Sequence, residues 1–478
     1  MPAIPESLSP SIQNLGISPT LEINELTAQM EREGRHVFRF GLGESPFPVP
    51  SAAVKSLEKH ASANAYLPVA GEATLRKAVA DFHVRRYNIE ADPDLVMIGP
   101  GSKQLMFLLQ LCLNGDVILP TPCWVSYAPQ AAIAGLNTTL IHTAYEEKWR
   151  LTPEKLDEQL SGKNPQAQLL IFNFPGNPDG LTYSSDELKA LAEVCRRHGV
   201  IVLSDEIYAE LHHAGEHVSM ARHYPEGTII ASGLSKWCGA GGWRLGTFIF
   251  PPVLKWLLKA MCKVASQSHS TVAAPIQFAA AEAYSASDEI EDYLLHCRRT
   301  LKPLGNWCAE TLSAAGVRVH KPTGAFYLYP DFSPFREVLK ARGVTTSKQM
   351  CELLLEKTGA AILTGEAFCR PEDDLTARLA YVNFDGTAVL QASREVPLEQ
   401  ELDERFFRQQ TPNTLAGVES IAEWCQDLAE LIKSKASCHK GTKTQRKTNK
   451  LVKQFLLTII IDMKKRILLF YNTYTLVS

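Results

Sequence analysis

Lys236 stands in the stretch SGLSKWCGAGGWRLG (232–246), at the end of an apolar run and among serines and glycines, with Arg244 eight residues on. A solvated surface lysine is protonated and a poor nucleophile. Desolvation and a nearby cation favour the neutral amine, which condenses with an aldehyde. Three other strand-like runs end in polar groups. SDEIY (204–208) carries Asp205 and, three residues on, Tyr208; NFPGNPDG (173–180) carries Asn177 in a proline-flanked turn; GPGSKQ (99–104) is a short turn into a helical stretch. Such a turn offers backbone N–H groups to one phosphate, and arginine suits the same group through two parallel hydrogen bonds. A buried carboxylate beside a pyridine nitrogen keeps that ring protonated and electron-withdrawing.

The elements that position these residues follow from hydrophobic period. LVMIG (95–99), DVILP (116–120), NTTLIH (137–142), QLLIFN (168–173), VIVLSDE (200–206), TIIASG (228–233) and TFIF (247–250) read as strands, and Ser102–Leu113 and Ser184–His198 between them carry apolar residues at helical spacing. This alternation predicts an α/β fold: a large domain, 46–290, with a mostly parallel seven-stranded sheet flanked by helices. Ligands of such sheets collect at the carboxyl ends of the strands, which brings the loops after Ile98, Asn173, Leu203 and Ser232 around one crevice. Residues 291–432 read as a smaller α+β domain, with the N-terminal segment 1–45 packing against it. Residues 433–478 hold eleven Lys/Arg and one acidic residue, Asp462, and read as an extension beyond the folded domain.

Composition removes several classes of function. The 478 residues are 45% hydrophobic and 21% charged with a formal net charge of −3, which provides no general attraction to nucleic acid or membrane. GLGESP and GPGSKQ lack the third glycine of a dinucleotide fingerprint, and no P-loop occurs. His212, His213 and His217 in HHAGEH have no supporting carboxylate or cysteine pattern and read as solvated loop residues, so no metal is expected. Eleven scattered cysteines without a CxxC pair, and an N-terminus that resembles neither a signal nor a transit peptide, point to reduced thiols in the cytoplasm.

Lysine, aspartate, tyrosine, asparagine, arginine and a phosphate turn together describe a site for pyridoxal 5′-phosphate. In order along the chain, GLGESPF, AYLPVAGEATLR, GPGSKQ, PTPCWVSY, NFPGNPDG, SDEIY, SGLSKWCGAGGWRLG, TGEAF and ARLAYV resemble the motifs of fold-type I pyridoxal-phosphate enzymes of the class I/II aminotransferase family, over Ile17 to about Lys433. The resemblance implies that Lys236 forms the Schiff base with the cofactor and later moves the substrate α-proton. It implies that Asp205 pairs with the ring nitrogen, that Asn177 and Tyr208 hydrogen-bond the ring oxygen, and that Trp124 stacks on the ring. Gly101, Ser102, Lys103, Ser235 and Arg244 would surround the phosphate, with Tyr66 reaching it from the partner subunit of a homodimer. Arg378 and the backbone at Gly43 would hold the substrate α-carboxylate, beside Trp124 and Asn177. The implied reaction is ping-pong transfer of an amino group from an L-amino acid to a 2-oxo acid. A lyase or synthase on the same site, and a non-catalytic binding protein of this fold, are the alternatives. Two positions depart from the family pattern: Gly233 replaces a serine that contacts the phosphate in many relatives, so that either Ser232 or Ser235 substitutes or the contact is lost, and Asp179 replaces the threonine of NPTG.

Overall fold

The structure is a computed structural model that describes residues 7–440 except 10, 14, 163–166 and 286, with side chains described to residue 433. The basic extension therefore lies, from residue 441 on, outside the described residues. The chain divides into two compact units, Met1–Cys425 and Gln426–Ser478, and every side chain discussed below belongs to the first.

Twelve strands occur among the described residues: β1 (Phe38–Arg39), β2 (Val96–Gly99), β3 (Gly115–Thr121), β4 (Asn137–His142), β5 (Ala167–Asn173), β6 (Ile201–Asp205), β7 (Thr228–Gly233), β8 (Gly246–Ile249), β9 (Tyr327–Leu328), β10 (Ala360–Ala361), β11 (Leu363–Thr364) and β12 (Ala377–Ala380). Seven of them form one sheet in the order β2-β8-β7-β6-β5-β3-β4. Strands β4, β3, β5, β6 and β7 run parallel, and β8 is antiparallel to both of its neighbours. This is the mostly parallel seven-stranded α/β sheet that the apolar runs predict.

Period-two alternation explains why nearly every strand residue is apolar. Val117, Leu119, Leu169, Ile171, Leu203 and Ile229 face one core, with Leu105, Leu109, Leu257 and Met261 of the helices Ser102–Cys112 and Lys255–Ser266. Their neighbours Ile118, Leu170, Phe172 and Val202 face the opposite core, with Leu156 and Leu160 of helix Pro153–Leu160 and Leu188, Leu191 and Cys195 of helix Ser185–His198. Both faces of the sheet are covered, so strands that alternate in direction need not alternate in polarity. Helix Ser185–His198 is bounded by a capping box between Ser184 and Glu187 and by Gly199 in the left-handed conformation.

The remaining strands are short. β11, β12 and β9 form an antiparallel sheet, and β1 pairs in parallel with β10. Met30 and Val37 of the N-terminal segment pack with Leu355 and Ala361. The 27-residue helix Asp288–Ala314 leads from the large sheet to this region.

HHAGEH departs from the sequence expectation, because His213 and His217 are buried. His213 places one ring nitrogen 3.1 Å from the Pro322 carbonyl and the other 3.1 Å from the Ala325 carbonyl, and burial pushes its pKa down to about 4. His217 Nε2 lies 2.9 Å from Glu206 Oε2. These rings fasten a loop onto the protein; among the described residues no group of three or more His, Cys, Asp or Glu could hold a metal ion.

Close approach fixes one glycine. A Cβ on Gly246, where β8 begins, would lie 2.0 Å from the Ser102 backbone nitrogen and 2.3 Å from the Gly101 carbonyl carbon. Gly246→Ala is therefore expected to destabilise the protein by about 1–3 kcal/mol through forced backbone displacement. Gly242→Ala, with nothing within 4 Å of its Cβ, is expected to leave stability nearly unchanged. Thermal unfolding of the two variants side by side checks this.

Candidate active site

Four strand ends deliver the site. Asp205 is the last residue of β6 and is 4% exposed. Its Oδ2 accepts from the Tyr127 hydroxyl at 2.6 Å and its Oδ1 accepts from the Ile207 N–H at 3.3 Å. Burial raises its pKa to about 6 against the pull of these two donors. Tyr127, within PTPCWVSY, was not marked by sequence reasoning, since its link to Asp205 spans 78 positions.

Lys236 lies three residues beyond β7. Its Nζ donates to the Gly43 carbonyl at 2.6 Å and stands 5.8 Å from the centre of the Tyr208 ring. Burial lowers its pKa to about 8, assisted by the Arg378 guanidinium and then Arg244, while Glu44 and Asp205 act in the opposite direction. Lys236 as a whole is half-buried. The Gly43 atom that meets Lys236 is an acceptor, its carbonyl, and not an N–H donor for a carboxylate.

The Tyr208 hydroxyl lies 2.7 Å from that of Tyr327, which also approaches the Gly43 carbonyl at 3.4 Å. Burial, followed by Tyr327, holds the Tyr208 phenol well above its ordinary pKa, so it stays protonated. Tyr327, in GAFYLY, is a second residue that sequence reasoning missed; its position on β9 brings it to Tyr208 from the opposite side of the crevice.

Arg378 is only 2% exposed, yet no carboxylate pairs with it among the described residues. Nη1 donates to Asn177 Oδ1 at 3.0 Å and Nη2 to the Gly41 carbonyl at 2.5 Å, while Nε is buried without a partner. The rings of Tyr327 and Phe368 lie 4.9 and 5.2 Å from the guanidinium carbon. A buried guanidinium satisfied only by neutral acceptors is costly, and an incoming carboxylate relieves that cost. Asn177 is held in turn by its backbone N–H, which donates to Asn173 Oδ1 at 2.7 Å.

The turn before helix Ser102–Cys112 lies against Arg244. Gly101, at φ 86°, caps helix Ser102–Cys112, and a Cβ there would come within 2.3 Å of Arg244 Nη2. The guanidinium thus lies against the helix N-terminus, where only glycine leaves it room. Ser102 begins the helix and Ser235 directly precedes Lys236; both are half-buried. Lys103 Nζ stands 5.4 Å over the Trp124 ring, and burial and Arg244 lower its pKa. Trp124 meets Tyr127 edge-on with 5.3 Å between ring centres.

Both departures from the family pattern have a local explanation. A side chain at position 233 would come within 2.7 Å of the Leu245 carbonyl oxygen and 2.9 Å of Gly246 Cα, so glycine is the residue that fits. Asp179 folds back to accept from the Leu181 N–H at 2.9 Å, and burial raises its pKa to about 7. Tyr66 joins none of these contacts: it is 91% exposed.

The residues present fit pyridoxal 5′-phosphate. Its phosphate suits Gly101, Ser102 and Arg244; its ring nitrogen suits a buried carboxylate whose neighbours are an O–H and an N–H; its aldehyde suits an amine with a lowered pKa. The unpartnered Arg378 Nε leaves a separate place for a carboxylate.

Comparison with known proteins agrees with this geometry. Residues 35–379 match the family described as aminotransferase class I and II. The aspartate aminotransferase of Geobacillus stearothermophilus is 34% identical over 387 residues, covering 78% of this chain and 94% of that one. That of Bacillus subtilis is 32% identical over 390 residues, with 78% and 94% coverage. Among solved structures, aspartate aminotransferase from Thermus thermophilus with maleate superposes with a TM-score of 0.73 at 29% identity, over 82% of this chain and 98% of that one. With its fold and about four-fifths of its length shared with these enzymes, the chain belongs to the class I and II aminotransferases, and it is a pyridoxal-phosphate-dependent transaminase.

Proposed function

We propose that this transaminase acts on a dicarboxylic amino acid, with aspartate or glutamate as donor and a dicarboxylic 2-oxo acid as acceptor. The observation that carries the reading is the pair of cations at the site. Arg378, buried without a carboxylate among the described residues, takes the α-carboxylate, and Lys103, 5.4 Å from the centre of the Trp124 ring, takes the carboxylate of the side chain. The aspartate aminotransferases of Geobacillus and Bacillus, and the Thermus enzyme with the dicarboxylate maleate, support the same chemical class.

Bound pyridoxal 5′-phosphate supplies the aldehyde that carries the amino group and the ring that withdraws electrons from the substrate α-carbon. The chain does the rest. Asp205 keeps a proton on the ring nitrogen and is itself steadied by Tyr127. Asn177 and Tyr208 donate to the ring oxygen, and Trp124 lies against the ring face. Gly101, Ser102, Ser235 and Arg244 bind the phosphate. Lys236 Nζ would take the proton from the substrate α-carbon as general base and hold it for return as general acid. Its lowered pKa makes the neutral amine available near neutral pH, and the Gly43 carbonyl and Tyr208 define where it waits.

We further propose a cytoplasmic homodimer in which the exposed Tyr66 reaches the phosphate of the partner's site. Ten cysteines among the described residues are free thiols, as a reducing compartment favours, and no described helix is long and apolar enough to cross a membrane.

Three measurements test this reading. Aspartate or glutamate is expected to discharge the visible band of the holoenzyme at far lower concentration than alanine, with Lys236→Ala unable to interconvert the two cofactor forms. Equal response to alanine would remove the dicarboxylic assignment. Arg378→Gln, which leaves the α-carboxylate without its charged donor, is expected to raise KM for the amino acid about 10–100-fold, the equivalent of one charged hydrogen bond of about 1.5–3 kcal/mol. Finally, reductive labelling of cofactor-free protein by a small aldehyde, read at the Lys236 peptide, should rise with pH through a midpoint near about 8, where half of the amine is neutral. In Arg378→Gln the midpoint should move to higher pH, since one of the charges that favours the neutral amine is gone. A midpoint only near pH 10.5, the ordinary lysine value, would show that Lys236 is unperturbed.

A further inference from the structure

A cavity of about 360 Å³ shares no residue with the cofactor and substrate site described above. It lies between the end of helix Ala73–Tyr87, the helix Asp288–Ala314 and the loop that follows β6. Arg85, Arg86 and Arg298 bring three guanidinium groups to it, beside Glu210, Glu291 and His217. Arg86 stands between two carboxylates, with Nε 3.3 Å from Glu210 Oε2 and Nη2 paired with Glu291. Glu210, 4% exposed, also accepts from the Tyr87 hydroxyl. Both glutamates are thereby committed to the wall. Among the described residues no carboxylate pairs with Arg85 or Arg298: the Phe82 ring lies 5.9 Å from the Arg85 guanidinium carbon, and Arg298 Nη1 donates to the Glu210 carbonyl at 3.3 Å. Arg298 is half-buried, and a Cβ on Gly215 would touch its guanidinium carbon at 3.4 Å, so the loop lies against it.

We propose that this cavity is an effector site that takes the phosphate group of a small molecule, separate from the turn that suits the cofactor phosphate. Three guanidinium groups face two carboxylates, so the cavity carries an excess of positive charge. Both carboxylates are drawn to Arg86, which leaves that excess at Arg85 and Arg298. A half-buried guanidinium without an anionic partner is stabilised when an anion arrives. The N–H groups of each guanidinium form a fork that matches two phosphate oxygens, and a doubly charged phosphate answers two forks where a single carboxylate answers one. The volume falls within the range of roughly 300–1,000 Å³ usual for small-molecule sites.

The wall of the cavity continues into the segment that carries Asp205 and Tyr208. Glu210 lies in the turn Ala209–Leu211, where the Ala209 N–H donates to the Glu206 carbonyl at 2.9 Å and the Leu211 N–H to the Tyr208 carbonyl at 2.8 Å. The Leu211 carbonyl accepts from the Ala325 N–H at 3.1 Å, two residues before Tyr327, whose hydroxyl meets that of Tyr208. His217, on the cavity wall, lies 2.9 Å from Glu206, the neighbour of Asp205. A phosphate that draws Arg298 towards Arg85 therefore acts on the Glu210 carbonyl and, through this turn, on Asp205 and Tyr208. The expected consequence is a change in kcat; this part rests on the roles proposed above for those two residues.

The test uses holoenzyme, whose cofactor occupies the other phosphate site, and inorganic phosphate as the probe, with chloride holding the ionic strength constant. Calorimetric titration is expected to find a single phosphate taken up per chain, with sulfate competing and acetate not. Arg298→Gln is expected to weaken that uptake roughly tenfold or more, as loss of a charged hydrogen bond does, while leaving basal kcat unchanged. Arg85→Gln, at an exposed position, removes charge from the same cavity and keeps the test open should Arg298→Gln fold poorly. With amino acid and 2-oxo acid both saturating, so that phosphate cannot compete for Arg378, phosphate is expected to change kcat several-fold in the unaltered protein and not in Arg298→Gln. No uptake, or uptake that neither substitution weakens, would overturn the site; the same kcat in phosphate and in chloride would overturn its effector role. Uptake is measured without substrate, so a wrong substrate assignment leaves it readable.

Discussion

Lys236 and Arg378 place two cationic groups in one crevice, and among the described residues no carboxylate is in contact with either. Each is satisfied by neutral oxygen: Lys236 by the Gly43 carbonyl, Arg378 by Asn177 and the Gly41 carbonyl. Like charges in a desolvated space disfavour one another. Arginine holds its proton under nearly any conditions, so the adjustment falls on the lysine. A lysine that gives up its proton readily is the reagent this chemistry requires, and an arginine that stays charged is the receptor an amino acid requires. Burial does most of this to Lys236 and the Arg378 charge adds to it, so one desolvated crevice yields both properties. It also explains why the Gly41–Gly43 backbone has to lie where it does, since its carbonyls are what make the conflict tolerable before substrate arrives.

The sheet makes this arrangement reproducible. β5, β6 and β7 are adjacent and parallel, in register through Asn173↔Asp205 and Asp205↔Ala231. Asn177, Asp205 and Lys236 therefore emerge from consecutive edges of one rigid layer. Arg378 comes from a different sheet, on β12, whose neighbour β9 brings Tyr327 to the same crevice. Residues on two separately formed sheets thus converge on one crevice. Small relative shifts between them would alter the distance between the amine and the carboxylate receptor without disturbing either sheet.

How far the sequence foretold this depended on the range of the interaction. The strands were legible because both faces of the sheet are covered, so apolar runs such as TIIASG had no other reading, and the glycine turns and Lys236 followed from local context. Tyr127 and Tyr327 were illegible because nothing near either one in the chain announces Asp205 or Tyr208; only the packing of the loop after β3 and of β9 does. The histidines of HHAGEH were misread for a related reason. A polar loop reads as solvated, and its burial becomes evident only when Glu206 and the carbonyls of Pro322 and Ala325 come within reach. Position 233 taught the same lesson in reverse: the missing serine reads as a lost phosphate contact, whereas the neighbouring Leu245 carbonyl shows that no side chain has space there.

Asp205 and Glu206, adjacent in sequence and both deeply buried, show how environment separates two carboxylates. Burial acts on both. Glu206 also receives His217, Ser204 and Ser219, whose hydrogen bonds outweigh burial and leave its pKa below the ordinary value. Asp205 receives one hydroxyl and one long backbone N–H, and its pKa remains raised. Glu206 is a saturated structural anion that anchors the loop after β6, whereas Asp205 is left under-solvated. A protonated ring nitrogen is the kind of cationic donor that would complete its shell, and by linkage the binding of that donor and the ionisation of Asp205 favour each other. Tyr127 keeps the balance: it donates enough to hold the carboxylate in place, and too little to satisfy it without the ring.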